Sequence, residues 1–451
     1  MSAIENRIVI SGAGLAGSLL AIMLARRGFE VTVYEKRLDM RTHDIPAGRS
    51  INLALAARGI RALEHAGVME RVRELLIPMP GRMLHPLGGE QHMQPYGSRP
   101  TEVNYSVSRA DLNRALMNEA EATGKVRILF EHEVQDIDFA TRTLKVRNTS
   151  THDEFEDRGL PVLAADGAAS PVRHAMARQL GIRHSEDILD HAYKELRIPP
   201  TESNGWRIEK NALHIWPRGG FMVIALPNLD GTFTCTLFLA RQGEPSFESL
   251  QTPEALREFF NAQFPDLVPL LPDLEHDFFH NPLGILGTVR CEPWHHEDQA
   301  VLIGDAAHAV VPFHGQGMNA AFEDCIELDL LIEKHGRDWK TIFAEYSKAR
   351  KPNGDAIAQM ALENYVEMRD SVRDPAFHLR KQVEFELERR FPQRFIPRYS
   401  MVMFHPEIPY AEALARGERQ QQLLRELTEG KTSLQEVDLS SAEAALARHG
   451  L

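Results

Sequence analysis

The chain has 451 residues, 43% hydrophobic and 25% charged, with a formal net charge of −13; this fits a globular protein of two or three domains, and the acidic balance excludes a general nucleic-acid binder, which needs a net basic face. Three scattered cysteines, Cys235, Cys291 and Cys325, form neither a CxxC pair nor an even framework, so a reducing compartment is expected. No apolar run reaches the ~18 residues of a membrane span, and the first strand-like run begins too early to leave room for a signal peptide.

In chain order, residues 7–11 read as a buried strand, 12–17 as a glycine turn, and 18–27 as a helix stopping at Gly28 with Arg26 and Arg27 at the negative end of its dipole. Residues 31–35 read as a second buried strand, completing a βαβ start. A helix is predicted over 107–123, a strand over 126–138 and another buried strand over 161–166. From about 190 to 240 the pattern changes. The β-rich runs 213–216, 221–226 and 233–239 are split by Pro-Arg-Gly-Gly and Asn-Leu-Asp-Gly turn signals, which predicts an inserted antiparallel sheet. Residues 300–305 return to a buried strand, 318–335 to a helix, and strong helix formers fill 377–391 and 410–429. There is no repeat or low-complexity tract.

The turn Gly12-Ala13-Gly14-Leu15-Ala16-Gly17 fits GxGxxG between a strand and a helix. The first glycine permits the tight turn, the second lets a pyrophosphate approach the backbone, and the third lets helix and strand pack closely. The helix N-terminus then offers free N–H groups to the phosphates. Glu35 ends the next strand, where a carboxylate can accept from a ribose hydroxyl. The motif alone could be a chance turn; strand, helix and acid together favour a dinucleotide. An acid here suits an unphosphorylated ribose, so FAD is expected in this turn rather than NADPH.

Further along, Gly304-Asp305-Ala-Ala-His precedes Pro312, and His314-Gly-Gln316-Gly317-Met318-Asn319 follows. Asp166-Gly167 stands with Ser170 and Arg173, and Arg109 opens an Arg-Ala-Asp-Leu-Asn-Arg run. Separately these read as turns and caps. Together and in this order they resemble the FAD-dependent aromatic hydroxylases, with one departure, Ala164 where the family pattern has glycine ahead of Ala-Asp-Gly. The resemblance implies that Asp305 accepts from the ribityl hydroxyls, that Gly304, Gly317, Met318 and Asn319 line the flavin, and that Arg109 contacts it. It assigns Asp166 to both FAD and NADPH. It places Ala16, Lys36, Arg37, Ala54 and Val134 at the remaining FAD-binding positions.

Other stretches are similar to the kynurenine 3-monooxygenases within that family. They include Gly48-Arg-Ser-Ile-Asn-Leu-Ala-Leu, Gly81-Arg82-Met, Gln94-Pro-Tyr96-Gly, residues 211–217, Glu363-Asn364-Tyr and Phe395-Ile-Pro-Arg-Tyr399. That similarity implies hydroxylation of L-kynurenine to 3-hydroxy-L-kynurenine with NADPH and O2 through a flavin C4a-hydroperoxide. It implies substrate contacts at Arg82, Tyr96, Asn364 and Tyr399. A guanidinium suits the amino-acid carboxylate, and phenols and an amide can complete its shell. The ring needs an apolar slot, for which Leu213, Met222, Ile224, Leu226, Thr236 and Phe238 alternate along the sheet runs, with Phe313. Most such residues in an ordinary protein are simply core. His314 and Gln316, with Phe313, are candidates near the flavin and the substrate carbonyl. No metal ligand set is expected.

The fold class implied is α/β: a Rossmann-like FAD-binding domain in two parts, residues 1–180 and 286–370, with an inserted antiparallel sheet domain for substrate over 181–285. A C-terminal helical region, 371–451, is expected to cover the active site and gate it through Tyr399. The membrane anchor of eukaryotic family members is missing from this sequence, so a cytoplasmic enzyme is expected. The rivals are a hydroxylase of another aromatic acid, an NADPH oxidase releasing mainly peroxide, and a non-catalytic binding module on the same fold.

Overall fold

A computed structural model describes residues 6–43, 52–97, 99–370 and 375–451. Residues 48–51 of the glycine-arginine stretch quoted above, and the boundary expected at residue 371, lie outside the described residues. The chain forms two compact units. One is built from Met1–Leu76, Val107–Ile188 and Gly287–Ala358, the other from Ile77–Ser106, Leu189–Leu286 and Gln359–Leu451.

The first unit is organised by a six-stranded sheet. Its order is His295–His296, Ala300–Leu302, Val162–Ala164, Arg7–Ser11, Glu30–Glu35, Val126–Phe130. All pairs are parallel except the short antiparallel edge at His295–His296. Parallel strands covered on both faces must be apolar throughout, and Ile8, Val9 and Ile10 are buried accordingly. The helix Leu15–Arg26 is buried over nearly its whole length and packs on Arg109–Ala122 and Gly317–His335.

Two sequence expectations shift here. The helix expected from residue 107 starts at Arg109, because Ser108 is an N-cap whose Oγ accepts from Asp111 N at 3.3 Å; the residues before it form the strand Asn104–Ser108. The strand expected over 126–138 breaks at Glu131, whose φ is +58°. Its halves, Val126–Phe130 and His132–Asp138, join two different sheets.

The second unit holds a seven-stranded sheet. Gly284–Glu292 and Arg183–Ile198 lead it and carry the chain from one unit to the other. Phe233–Ala240, Met222–Pro227 and Leu213–Pro217 follow as the predicted meander, antiparallel throughout. Gly81–Leu84 then adds in parallel to Leu213–Pro217, with His92–Pro95 at the edge. This pairing is why residues 77–106 group with the sheet unit rather than with the first 180 residues.

The register separates the two faces of this sheet. Ala192, Leu196, Trp216, Val223, Cys235 and Leu237 point one way, into a core closed by Phe259, Phe260 and Phe264 of a flanking helical segment. Truncating such a residue, as in Leu237→Ala, would cost about 2–5 kcal/mol. Met222 pairs with Phe238, Ile224 with Thr236 and Ile215, and Leu213 with Arg82. Directly paired residues share a face, so this set lies opposite the helix-packed core. The C-terminal helices Pro375–Arg390, Tyr410–Thr428 and Ala442–Arg448 close a separate core around Leu387, Phe395, Leu423 and Leu446.

Candidate functional site

In the first unit the three glycines of the turn do three different things. Gly12 has φ +95° and donates its N–H to Tyr34 O at 2.7 Å. A Cβ on Gly17 would stand 2.0 Å from Gly12 O. A Cβ on Gly14 would meet nothing within 4 Å, and the helix that begins after it has no side-chain cap. The start of this helix, whose first-turn N–H groups have no intrahelical acceptor, thus borders open space at Gly14, the arrangement a pyrophosphate requires. Ala16 lies half-buried within that first turn.

Glu35 is 4% exposed and fully engaged. Its Oε1 accepts from Arg37 N (3.0 Å) and Nε (2.7 Å), and its Oε2 from Ala13 N (2.9 Å) and Arg37 Nη2 (3.2 Å). Burial alone would raise its carboxyl, but the Arg37 guanidinium and these N–H groups hold it below the usual range. A carboxylate has about four acceptor directions. A ribose hydroxyl at Glu35 would therefore replace the longest bond, the one from Arg37 Nη2. Lys36 is exposed beside it, as is Arg37.

Gly304 takes φ +57° and ψ −134°, open only to glycine, and Asp305 follows it exposed at the start of the short helix Asp305–His308. Asp166 Oδ2 accepts from Ser11 Oγ at 3.1 Å, while its Oδ1 is buried without a partner among the described residues. Burial pushes the Asp166 carboxyl up. Arg173 is fully buried, donating to Ala306 O at 3.0 Å and pairing with Glu186 at 2.6 Å; it braces the two loops rather than facing a ligand. Arg109 is exposed at the first position of its helix. Val134 spends its side chain in the core, opposite Val146, leaving only its backbone to meet a ligand.

Gly317 and Met318 open the helix Gly317–His335. Asn319, expected at the flavin, is completely buried: its side chain accepts from Ala56 N (3.0 Å) and donates to Ala54 O (2.9 Å), fixing that strand end. Phe313 and His314 are buried on a single turn, Pro312–His314, and Gln316 is fully buried at the helix start. The open cradle at Gly14, the orphaned Asp166 oxygen and the exposed Asp305 fit the pyrophosphate and polyol of FAD. Among the described residues one group, His174, His184 and Glu186, brings possible metal-ligand atoms within 4.8 Å of one another; it is exposed, and Glu186 is already paired with Arg173.

In the second unit the sheet face opposite the helix-packed core carries a cation among aromatic rings. The Arg82 guanidinium carbon lies 4.7 Å from the Tyr399 ring centroid and 5.4 Å from that of Tyr96. The two tyrosines stack at 5.9 Å and 12°. Arg82 keeps part of its surface open, while its Nε is buried without a partner among the described residues. No carboxylate among the described residues reaches ion-pair distance of it. Burial alone would lower its pKa; Tyr399, Tyr96 and the more distant Glu367 reverse this and keep it charged. Burial also pushes the Tyr96 phenol up.

Leu226, Leu213 and Ile224 pack with Tyr96 and Tyr399, and Met79 and Phe404 complete that cluster. Met222, Thr236 and Phe238 continue the same face, nearly buried. Asn364 is buried on the helix Trp339–Asp370, one turn before Glu367. Sequence reasoning missed Met79, Phe404, Glu367 and Asn104, the last a hydrogen-bond partner of Tyr96. Only the strand pairing that brings residues 77–106 to the sheet could have pointed to Met79 and Asn104.

Behind the Arg82 strand, His85 Nε2 meets His214 Nδ1 at 2.8 Å, and the His85 ring stacks on Trp216 at 4.0 Å. Burial, and then the neighbouring His214, lower the His85 pKa to about 4, so it is neutral.

A family model described as an FAD binding domain matches residues 5–361. The kynurenine 3-monooxygenase of Stenotrophomonas maltophilia (strain K279a) is 49% identical over 445 residues, covering 98% of this chain and 96% of its own. That of Myxococcus xanthus (strain DK1622) is 48% identical, covering 97% and 94%. Two solved structures share the fold. A tetrameric 2-methyl-3-hydroxypyridine-5-carboxylic acid oxygenase superposes with a TM-score of 0.65 at 21% identity, over 83% of this chain and 95% of its own. A p-nitrophenol 4-monooxygenase from Pseudomonas putida DLL-E4 gives 0.64 at 17% identity, over 92% and 97%. With the family model spanning most of the sequence and relatives close to half identical end to end, the chain belongs to the kynurenine 3-monooxygenase family of FAD-dependent monooxygenases.

Proposed function

We propose that this protein hydroxylates L-kynurenine to 3-hydroxy-L-kynurenine, consuming NADPH and O2 and releasing NADP+ and water. The observation that carries the reading is Arg82, a partly buried cation held by two stacked phenols on an otherwise apolar sheet face. Withdrawing a guanidinium from water without a carboxylate costs several kcal/mol, which an incoming carboxylate would offset. L-kynurenine has that carboxylate at one end and an aminophenyl ketone at the other. Arg82 binds the carboxylate through its fork, and the hydroxyls of Tyr96 and Tyr399 with the amide of Asn364 complete the shell. The ring lies along Ile224, Met222 and Phe238, with Leu213 and Leu226 toward the carboxylate end and Thr236 as the polar atom of that face.

The ring amine already makes the ring electron-rich, so no base is needed to deprotonate a phenol. FAD, when bound, supplies activated oxygen to that ring. The N–H groups after Gly14 hold its pyrophosphate, Asp305 and Asp166 accept from its hydroxyls, and Arg109 offers a cation. Phe313, His314 and Gln316 belong to the flavin-side segment that leads into Gly317–His335. NADPH is read as a transient reductant, since the sequence holds a single GxGxxG. The three buried thiols suit a cytoplasmic enzyme, and no helix among the described residues is long and apolar enough to cross a membrane.

The test compares L-kynurenine with its decarboxylated amine as substrates. A KM about a hundredfold higher for the amine is expected from loss of a charge-assisted, two-pronged contact. Equal KM values would contradict the Arg82 assignment.

A further inference from the structure

Asp324 is fully buried, yet three donors converge on it. Its Oδ2 accepts from Gly304 N at 2.9 Å and from His308 Nε2 at 2.6 Å; its Oδ1 accepts from Arg350 Nε at 2.7 Å. Two of the three donors belong to the Gly304–His308 turn, the segment that presents Asp305. The conformation of Gly304 turns its N–H inward, away from the strand it follows, and a Cβ there would stand 2.9 Å from Ala321 Cβ. The turn is thus pressed against the helix Gly317–His335, and Asp324 is the acceptor that fixes it there.

The neighbouring residues extend the arrangement. Glu323 accepts from Arg58 Nη1 at 2.7 Å and pairs with Arg350 at 3.4 Å. Asn319, one turn earlier, holds Ala54 and Ala56. Positions 319 and 323, four apart, share a helix face, and Asp324 sits beside Glu323 on the next face round. One helix therefore fixes both the turn that presents Asp305 and the strand end at Ala54. A buried carboxylate is expensive unless all its partners are in place, so a role in placing Asp305 explains its use better than general packing, which an apolar residue would serve.

We infer that Asp324 is a positioning residue for FAD, acting through Gly304 and His308 to hold Asp305 where it meets the cofactor's polyol. This rests on the reading of Asp305 as the polyol acceptor.

An asparagine at 324 keeps the shape but has one oxygen for three donors, so either Arg350 or the turn loses its acceptor. FAD dissociation constants are measured by titrating the full-length apoprotein with FAD and following flavin fluorescence. The series is wild type, Asp305→Ala, Asp324→Asn and the double variant. Each single substitution is expected to weaken binding about tenfold to a hundredfold. The double variant is expected to match Asp305→Ala within about a factor of two, because Asp324 acts only through a side chain already removed. Losses that multiply would overturn the inference and leave the Asp305 reading intact. Unchanged binding in Asp305→Ala alone would overturn both. Should Asp324→Asn not fold, His308→Phe, which keeps a ring but removes the Nε2 bond to Asp324 Oδ2, takes its place in the same cycle.

Discussion

The glycine turn of the first unit and the arginine cluster of the second treat their polar groups in opposite ways. Around the turn, polar groups are spent on the fold itself. All four acceptor directions of Glu35 are taken by Ala13 and Arg37, and the Gly17 position is closed by the Gly12 carbonyl. The space that is left, at Gly14, is shaped by backbone alone. Around Arg82 the protein supplies ring faces and phenols but no close carboxylate among the described residues, so a charge stays available in an apolar setting. A cofactor that stays can be held by a finished backbone cradle, whereas a substrate that must arrive and leave is better met by an unfinished charge balance.

The largest expected effect separates two glycines of one motif. Gly17→Ala drives a Cβ into a backbone carbonyl that cannot retreat, and should cost more than about 4 kcal/mol, read as insoluble protein or a collapsed melting temperature. A normal melt for that variant would mean the turn is looser than described. Next, Arg82→Ala should raise the KM for L-kynurenine about a hundredfold while leaving the flavin absorbance unchanged, since the cation belongs to substrate and not to cofactor.

A third expectation concerns the neutral histidine behind Arg82. His85 titrates near 4 in the folded protein against an ordinary 6.5. Between those values the unfolded chain binds a proton that the folded chain refuses. Stability should therefore be full above about pH 6.5 and fall as pH drops toward 4, by an amount on the order of 2–3 kcal/mol. Chemical denaturation across that range should show a shallower slope in His85→Gln; an identical slope would remove His85 from the account. Smaller still, Gly14→Ala should melt like wild type as apoprotein, because its Cβ meets nothing, yet bind FAD at least about tenfold more weakly, because that Cβ occupies the phosphate's space. The smallest is Tyr399→Phe, which removes one hydroxyl and should raise the KM about five- to tenfold.

The βαβ start and the sheet meander were legible in sequence because apolar runs and glycine or Asn-Leu-Asp-Gly signals are local. The alternation over 222–226 and 236–238 correctly separates one sheet face from the other, since the period of two fixes direction. The assignment of residues 77–106 to the second unit was not legible, because it depends on a parallel pairing between Gly81–Leu84 and Leu213–Pro217, more than a hundred residues apart. Asn319 shows a second limit: the bonds its side chain makes to Ala54 and Ala56, more than 260 residues earlier, had no sequence signal. Asp324 had no sequence signal, since a single acid in a helix looks like a solvated one until the turn packed against it is known.

The most direct test of the central claim is to record the visible spectrum of the purified protein and follow NADPH oxidation with and without L-kynurenine, identifying the product by mass. The account predicts a flavin spectrum, oxidation stimulated by L-kynurenine, and a product heavier by one oxygen. A flavin spectrum with no response to L-kynurenine would contradict the substrate assignment, and a colourless protein that FAD cannot restore would contradict the account at its base.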